Sequence, residues 1–288
     1  MVEINSMFDI NITFVNLNMK DDILRAIASI MDDIKHSSYK VHICVADNSE
    51  NADGIKEALA ERYPTVYYID CGGNIGFGAG NNKSFKKTPA RYYFALNRDT
   101  IIPENSKTID RLIEYMDTHT EIGCIGPKLL NMDGSLQYSC YRFDLRSMLI
   151  KPLKQLNWDQ KYAWVKKYTD RLLMVDFDHK STRPVDWVLG AAMVVRKDVA
   201  DQLGFFDERY FAYLEDADWC HQMWEAHWPV YYVHDIVIKH AHARASAQVP
   251  GALRALLKNK AARIHLRSWI SYLWKWRFNH HFYRSKIS

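Results

Sequence analysis

Asn97-Arg98-Asp99 follows the apolar run Tyr92-Tyr-Phe-Ala-Leu96, so a carboxylate stands just past the end of a buried strand. In that place it can hold a divalent ion against a diphosphate, because hard cations take oxygen ligands and leave positions open to substrate phosphates. A plainer reading has the aspartate capping a helix that begins near Pro103. A second group of acids, Glu215, Asp216 and Asp218, crowds the predicted start of a helix, where the macrodipole favours negative charge. Phe205, Phe206, Tyr210, Phe211 and Tyr213 precede it and can wall a carboxylate from water, which raises its pKa toward the range of a general base. His240 and His242 close the last predicted strand, and imidazole there is either an ordinary surface or core residue or a transition-metal ligand.

Between Asn74 and Asn82 the chain reads Asn-Ile-Gly-Phe-Gly-Ala-Gly-Asn-Asn. A dinucleotide fingerprint aligned on Gly76 and Gly78 puts Asn81 where its third glycine belongs, and the segment follows the third strand rather than the first, which disfavours a nicotinamide enzyme. The glycines can simply permit a tight turn. Asn74, Asn81 and Asn82 add amide donors that suit a phosphate or ribose. Polar residues also end the first two strands, at Asn16-Leu-Asn18 and at Asp47-Asn48-Ser49. Open α/β sheets bind ligands outside the carboxyl ends of their strands, so all these clusters are expected at one edge.

The elements needed to gather them are legible in the apolar periodicity. Ile10 to Val15 reads as a strand, and Ile23, Leu24, Ile27, Ile30, Met31 and Ile34 draw one stripe along a following helix. Val41 to Ala46, Val66 to Ile69, Tyr92 to Leu96 and Ile122 to Ile125 read as further strands, with helices over Phe77 to Lys87 and around Ile109 to Met116. This alternation predicts an α/β domain with a mainly parallel sheet. Residues 140 to 183 break the rhythm and read as a partly helical insertion without a clear strand. Regularity returns at Val185 to Val195, in a helix from about Leu214 to His227, and in strands near Val230 to Val233 and Val237 to Lys239.

Taken in order, these segments resemble the family 2 glycosyltransferases, and within them the bacterial rhamnosyltransferase-like branch. The resemblance rests on Val45-Ala-Asp-Asn48, the Asn74 to Asn82 segment, Leu96-Asn-Arg-Asp-Thr100, Asp186-Trp-Val-x-Gly-Ala191, Gly204-Phe-Phe-Asp-Glu-Arg-Tyr-Phe211 and Glu215-Asp-x-Asp218, and it spans residues 10 to about 243. It implies a GT-A fold. It places Asp47 on the base or ribose of a nucleoside-diphosphate sugar, Asn97 and Asp99 at the family's D-x-D metal motif, and His240 as a completing ligand to a divalent Mg or Mn ion. Asn18, Asn74, Gly76, Asn81, Trp187 and Gly190 fall in the implied donor-binding set, and Asp216 stands at the catalytic base. Asn97 departs from the first acid of D-x-D. The branch points to dTDP-L-rhamnose, with a UDP-hexose as the other donor, a glycan or lipid-linked acceptor, and inversion at the anomeric carbon. Aromatic walls around Trp187 and Tyr210 to Tyr213 suit the methyl group of a 6-deoxy sugar. The rival classes are a binding module without turnover, which the presence of both Asp99 and Asp216 disfavours, and the nicotinamide enzyme.

Composition fits this frame. The chain has 288 residues, 48% of them hydrophobic and 25% charged, ordinary values for a domain with a sizeable core. Its five cysteines lie far apart with no C-x-x-C pair, which suits a reducing cytoplasm, and the first residues do not read as a signal peptide. The longest uncharged apolar stretch, around Val188 to Val195, is far short of the roughly 20 residues that a spanning helix requires. Of 38 lysines and arginines, nine lie between Gly251 and Ser288, where no acid occurs, leaving 29 against 34 acids before them. With Trp269, Trp274 and Trp276, this basic tail predicts a helical segment over 246–288, appended to a catalytic domain over 1–245 and resting peripherally on the anionic inner face of the cell membrane, the plainer reading being a helix that packs on that domain. No nucleic-acid partner is expected.

Overall fold

The computed structural model describes residues 7–150, 153–154, 157–241 and 260–277. Its centre is β1 (Phe8–Asn16), whose alternate side chains serve two layers. Ile10, Ile12 and Phe14 pack with Ile23, Ile27 and Ile30 of α1 (Lys20–Asp33), the stripe expected from the sequence. On the opposite face Asn11 and Thr13 bond α3 (Phe77–Lys87): Asn11 Nδ2 donates to Thr88 O at 2.9 Å and Thr13 Oγ1 to Ser84 Oγ at 2.7 Å. The expected strands appear as β2 (Val41–Asp47), β3 (Tyr67–Asp70), β4 (Ala90–Leu96) and β6 (Cys124–Leu130), with α4 (Thr108–Thr118) before β6. An unexpected helix, α2 (Ile55–Arg62), buries only Ile55 and Leu59, too few to mark a stripe.

The sheet runs β3-β2-β1-β4-β11-β6-β12-β5, where β5 is Thr100–Ile101, β11 Ala192–Arg196 and β12 Val230–His240. The first four strands are parallel, and β6 pairs β12 in parallel. β1 is followed on one side by β2 and on the other by β4, a reversal of winding that opens a crevice beyond their carboxyl ends. β11 enters antiparallel between β4 and β6, aligning Ala192 with Leu96. Its first residues therefore lie at the end of β4. The two short strands expected near 230–239 form one, continuous through an irregularity between Val233 and Val237.

Residues 140–183 do contain short strands. β8 (Cys140–Tyr141) pairs β10 (Trp187–Val188), β9 (Arg183–Pro184) pairs β12, and β7 (Leu136–Gln137) hairpins back on β6. Between them lie α5 (Leu145–Ile150), α6 (Trp158–Lys161) and α7 (Ala163–Leu172). Two-residue strands leave no alternation to read, which is why the sequence hides them. α8 (Lys197–Leu203) and α9 (Glu215–Glu225) complete the domain, and α10 (Lys260–Trp276) lies on it. Among the described residues no helix is long and apolar enough to cross a membrane. All five cysteines are free and buried.

The glycine segment joins two parts of this frame. Phe77 N donates to Phe211 O at 2.9 Å, and Asn82 grips Phe206, donating to its carbonyl at 2.8 Å and accepting its amide at 3.1 Å. Gly76 has φ +97°, and a Cβ there would stand 2.2 Å from the Phe211 carbonyl oxygen. Gly76→Ala combines a left-handed backbone with a clash against main chain, so urea denaturation is expected to report a loss of at least ~2 kcal/mol.

Candidate active site

Two peptide groups at the entry to β11 organise the crevice. Gly190 N donates to Asp216 Oδ2 at 2.8 Å, and Ala191 O accepts Asn97 N at 2.8 Å. The first fixes a carboxylate from α9; the second fixes the loop after β4. Asp216 is buried in the first turn of α9, and its Oδ1 also accepts Ala217 N at 2.7 Å. The helix starts there because Tyr213 and Leu214 both take positive φ, +70° and +69°. Such residues cost of order 1–3 kcal/mol each and persist only where surroundings over-determine them. Ser268 Oγ of α10, donating to Ala212 O at 2.7 Å, is part of that restraint.

The three acids of α9 have separate environments. Glu215 is enclosed, its Oε2 has no hydrogen-bond partner, and burial followed by the charge of Asp216 pushes its carboxyl well above the usual range. Asp218 is equally enclosed but fully paired, accepting Tyr210 OH (3.0 Å) and Trp276 Nε1 (2.8 Å) on one oxygen, Gln222 Nε2 (2.8 Å) and Lys275 Nζ (2.7 Å) on the other. Burial raises its pKa against the pull of Lys275 and Trp276. Tyr210, expected as a sugar-facing wall, is instead core, spent on Asp218.

Across the crevice β5 turns Asn97-Arg98-Asp99 onto the end of β12, pairing Thr100 with His240, while Ala241 N donates to Asp99 O at 2.9 Å. No helix follows for Asp99 to cap until Thr108. His240 Nε2 lies 3.2 Å from Asp99 Oδ1 and 3.3 Å from Asn97 Nδ2, and its Nδ1 lies 2.7 Å from Gln137 Oε1. Burial works to raise the Asp99 carboxyl, yet the hydrogen bond and charge of His240 bring it down to about 2. A carboxylate and an imidazole at this separation suit adjacent positions on one divalent ion, leaving other positions to substrate oxygens and water. Among the described residues no cluster of three or more histidine, cysteine, aspartate or glutamate side chains gathers. His242 lies outside the described residues.

The structure redirects several residues expected on the donor. Asp47 does not face the crevice as a free acceptor: it is solvent-excluded, and its oxygens take Asn16 Nδ2 (2.9 Å), Ser49 N (3.0 Å), Ser49 Oγ, Asn51 N (2.6 Å) and Tyr68 OH (2.9 Å). Against the effect of burial these bonds lower its pKa, and it stands as the anchor of the loop after β2. Asn81 is buried and donates to Phe77 O at 3.0 Å within its own helix, while Gly76 packs under Phe211. Gly76 is held by packing, whereas Asn81 keeps a buried Oδ1 without a partner. Asn18, at φ +55°, and Asn74 remain exposed on the rim, with Asn74 Oδ1 accepting Gly76 N at 3.2 Å. Trp187 is buried, stacked on Tyr141 at 4.2 Å, with an indole N–H that meets no acceptor. Gly190 serves Asp216 directly. Sequence reasoning missed Gln137, hidden in a two-residue strand, and Arg98, whose buried Nε has no partner.

A mixed sheet whose strand order reverses at β1, with acids gathered at the ends of β4 and β12 and at the start of α9, is the architecture of a glycosyltransferase of GT-A type. A sequence profile described as Glycosyltransferase like family 2 matches residues 10–264, and the chain belongs to that family. It is 28% identical over 223 residues to an N-acetylglucosaminyl-diphospho-decaprenol L-rhamnosyltransferase of Mycobacterium tuberculosis, covering 74% of this chain and 70% of the relative. In fold it is similar to the mannosyltransferase PcManGT of Pyrobaculum calidifontis, solved with GDP-Man and Mn2+, at TM-score 0.53 and 12% identity over 93% of this chain and 70% of that one. GalNAc-T7, solved with UDP, GalNAc and Mn2+, matches at TM-score 0.57 and 13% identity over 82% of this chain and 44% of that one.

A Cβ on Gly190 would stand 3.1 Å from Asp216 Cβ and 3.3 Å from its Oδ2. Gly190→Ala is therefore expected to move the carboxylate by a few tenths of an ångström and reduce turnover by about 100-fold, the scale on which a small misplacement acts at a site that depends on it. Unchanged steady-state rates in a folded Gly190→Ala variant would show that Asp216 does not depend on this contact.

Proposed function

We propose that the chain is an inverting rhamnosyltransferase, moving L-rhamnose from dTDP-L-rhamnose onto a hydroxyl of a lipid-linked glycan. The observation that carries the reading is that consecutive residues at one turn hold both groups, Gly190 N bonding the buried carboxylate of Asp216 and Ala191 O bonding the loop of Asn97 and Asp99, which His240 meets. Burial and the charge of Asp216 push the Glu215 carboxyl up and favour its protonated form, Asp218 is spent on four donors, and this reading gives the role of base to Asp216. Asp216 accepts the proton of the acceptor hydroxyl as that oxygen attacks the anomeric carbon from the face opposite the leaving diphosphate. Asp99 and His240 would hold a divalent ion, Mg or Mn, that supplies charge to offset the negative charge gathering on the leaving group. Arg98 adds a fixed positive charge beside them. The unpartnered indole N–H of Trp187 is a donor for a sugar or phosphate oxygen. The mycobacterial relative supports rhamnose and a lipid-linked acceptor.

A screen of nucleotide sugars for donor hydrolysis is expected to single out dTDP-L-rhamnose, with EDTA abolishing activity. Asp216→Asn should bind donor and lose transfer by at least ~100-fold. Turnover with UDP-hexoses alone would replace the donor; near-normal transfer in Asp216→Asn would remove the base.

The acceptor's lipid gives α10 a role at the membrane. Its inner face packs on the domain through Ser268, Tyr272 and Trp276, whereas Leu266, Ile270 and Trp274, spaced by four, are 39%, 54% and 67% exposed. Leu253, Leu256 and Leu257, expected on the same helix, lie outside the described residues. Lys260, Arg263, Arg267 and Arg277 are exposed as well, and the face has no acid. Apolar side chains among cations are what an anionic bilayer surface holds. The protein should co-sediment with phosphatidylglycerol-containing vesicles and be released by salt, and Ile270→Ser with Trp274→Ser should release it without altering donor hydrolysis. Indifference to such vesicles at low salt would restrict α10 to packing.

A further inference from the structure

Neutral imidazole carries one proton on either of two nitrogens, and which one decides whether His240 Nε2 can be a ligand. The hairpin between β6 and β7 settles the matter by the directions of its hydrogen bonds. Asp133, an exposed carboxylate that can only accept, takes the Ser135 hydroxyl proton on Oδ1 at 2.6 Å. Having given its single proton, Ser135 Oγ accepts Asn131 Nδ2 at 2.8 Å. That turns Asn131 Oδ1 toward Gln137, whose Nε2 donates to it at 3.2 Å. Gln137 Oε1 is left facing His240 Nδ1 at 2.7 Å, and an amide oxygen only accepts. Nδ1 therefore carries a proton, and in the neutral ring the lone pair is on Nε2. The opposite side of the ring agrees, since Asn97 Nδ2 reaches Nε2 at 3.3 Å as a donor. Nε2 and Asp99 Oδ1 stand 3.2 Å apart, and the place between them takes a positive charge: a second ring proton that Nε2 donates to the carboxylate in the charged ring, or a cation that displaces that proton.

We propose that Gln137 is a positioning residue, oriented by Asn131, Ser135 and Asp133, that keeps His240 protonated on Nδ1 and presents its Nε2 to a divalent cation shared with Asp99. The proposal rests on the metal reading given above, and it extends the site to a hairpin tip that touches no substrate. Partners that fix the tautomer and angle of a ligating histidine are worth roughly 10–100-fold in metal affinity.

Two measurements test it. Nitrogen-15 spectra of the metal-free protein, at a pH where the ring is neutral, should show His240 protonated on Nδ1; an Nε2-protonated ring would overturn the proposal. Calorimetry with Mn2+ should show Gln137→Met binding about 10–100-fold more weakly than the natural protein, with Gln137→Glu, which keeps an acceptor toward Nδ1, binding at least as well. Wild-type affinity in Gln137→Met, or equal loss in both variants, would also overturn it. If Gln137→Met does not fold, Asn131→Leu in the half-buried hairpin should show a smaller loss of Mn2+ affinity, and none would count against the relay. A natural protein that binds no Mn2+ would instead sink the metal reading, and the nitrogen spectrum would still decide the tautomer.

Discussion

Everything around the crevice depends on the two peptide groups that open β11. The amide of Gly190 fixes Asp216, and the carbonyl of Ala191 fixes the loop bearing Asn97 and Asp99. Because β11 runs antiparallel between β4 and β6, it begins where its neighbour β4 ends, and one short turn can address both sides of the site. A parallel strand in that position would have put its amino end at the far edge. The residue at the turn must also be small, since Asp216 leaves no ordinary room for a Cβ. Position and charge are thus set by main chain, which does not reorganise as charge develops.

Much of this was legible because buried strands and amphipathic helices leave strong periodicity. α3 came out at its observed bounds, and β1, β2 and β4 within two or three residues. Asp99, His240 and Asp216 could be placed at strand ends and a helix start because carboxylates and imidazole there stand out from their neighbours. What stayed hidden came from elements too short for a period. β5 brings His240 to Asp99 with two residues, and β7 brings Gln137 with two more. Other residues expected on the donor have partners of their own. Asp47 carries the polar groups of a ligand site, but its oxygens are taken up by partners 2 to 31 positions away that no local pattern links to it, while Asn81 gives its amide N–H to Phe77 O and keeps a buried Oδ1 without a partner. Polar type signals that a group must be satisfied and leaves open by whom.

The same distinction separates the acids of α9. Glu215 is enclosed without a partner for one oxygen, whereas Asp218 receives four donors, two of them from α10. Removing one partner of a buried ion pair costs about 3–5 kcal/mol, because the remaining charge is left without compensation. α10 is accordingly part of the catalytic domain's packing, and the boundary expected at residue 245 cuts through its interactions with α9.

That tie also orders events in time. A chain made from its amino end commits Asp218 to the first turn of α9 long before Lys275, 57 residues later, has been added. At the ordinary pace of synthesis, 5–20 residues per second, the buried acid waits roughly 3 to 11 seconds for its counter-charge. Until then the turn that carries Asp216 has neither the lysine nor the indole that secures it, so the centre matures last, although most of its residues are made first. A nascent chain halted after β12 and before Lys275 holds every strand of the sheet and an α9 whose buried acid still lacks its partners.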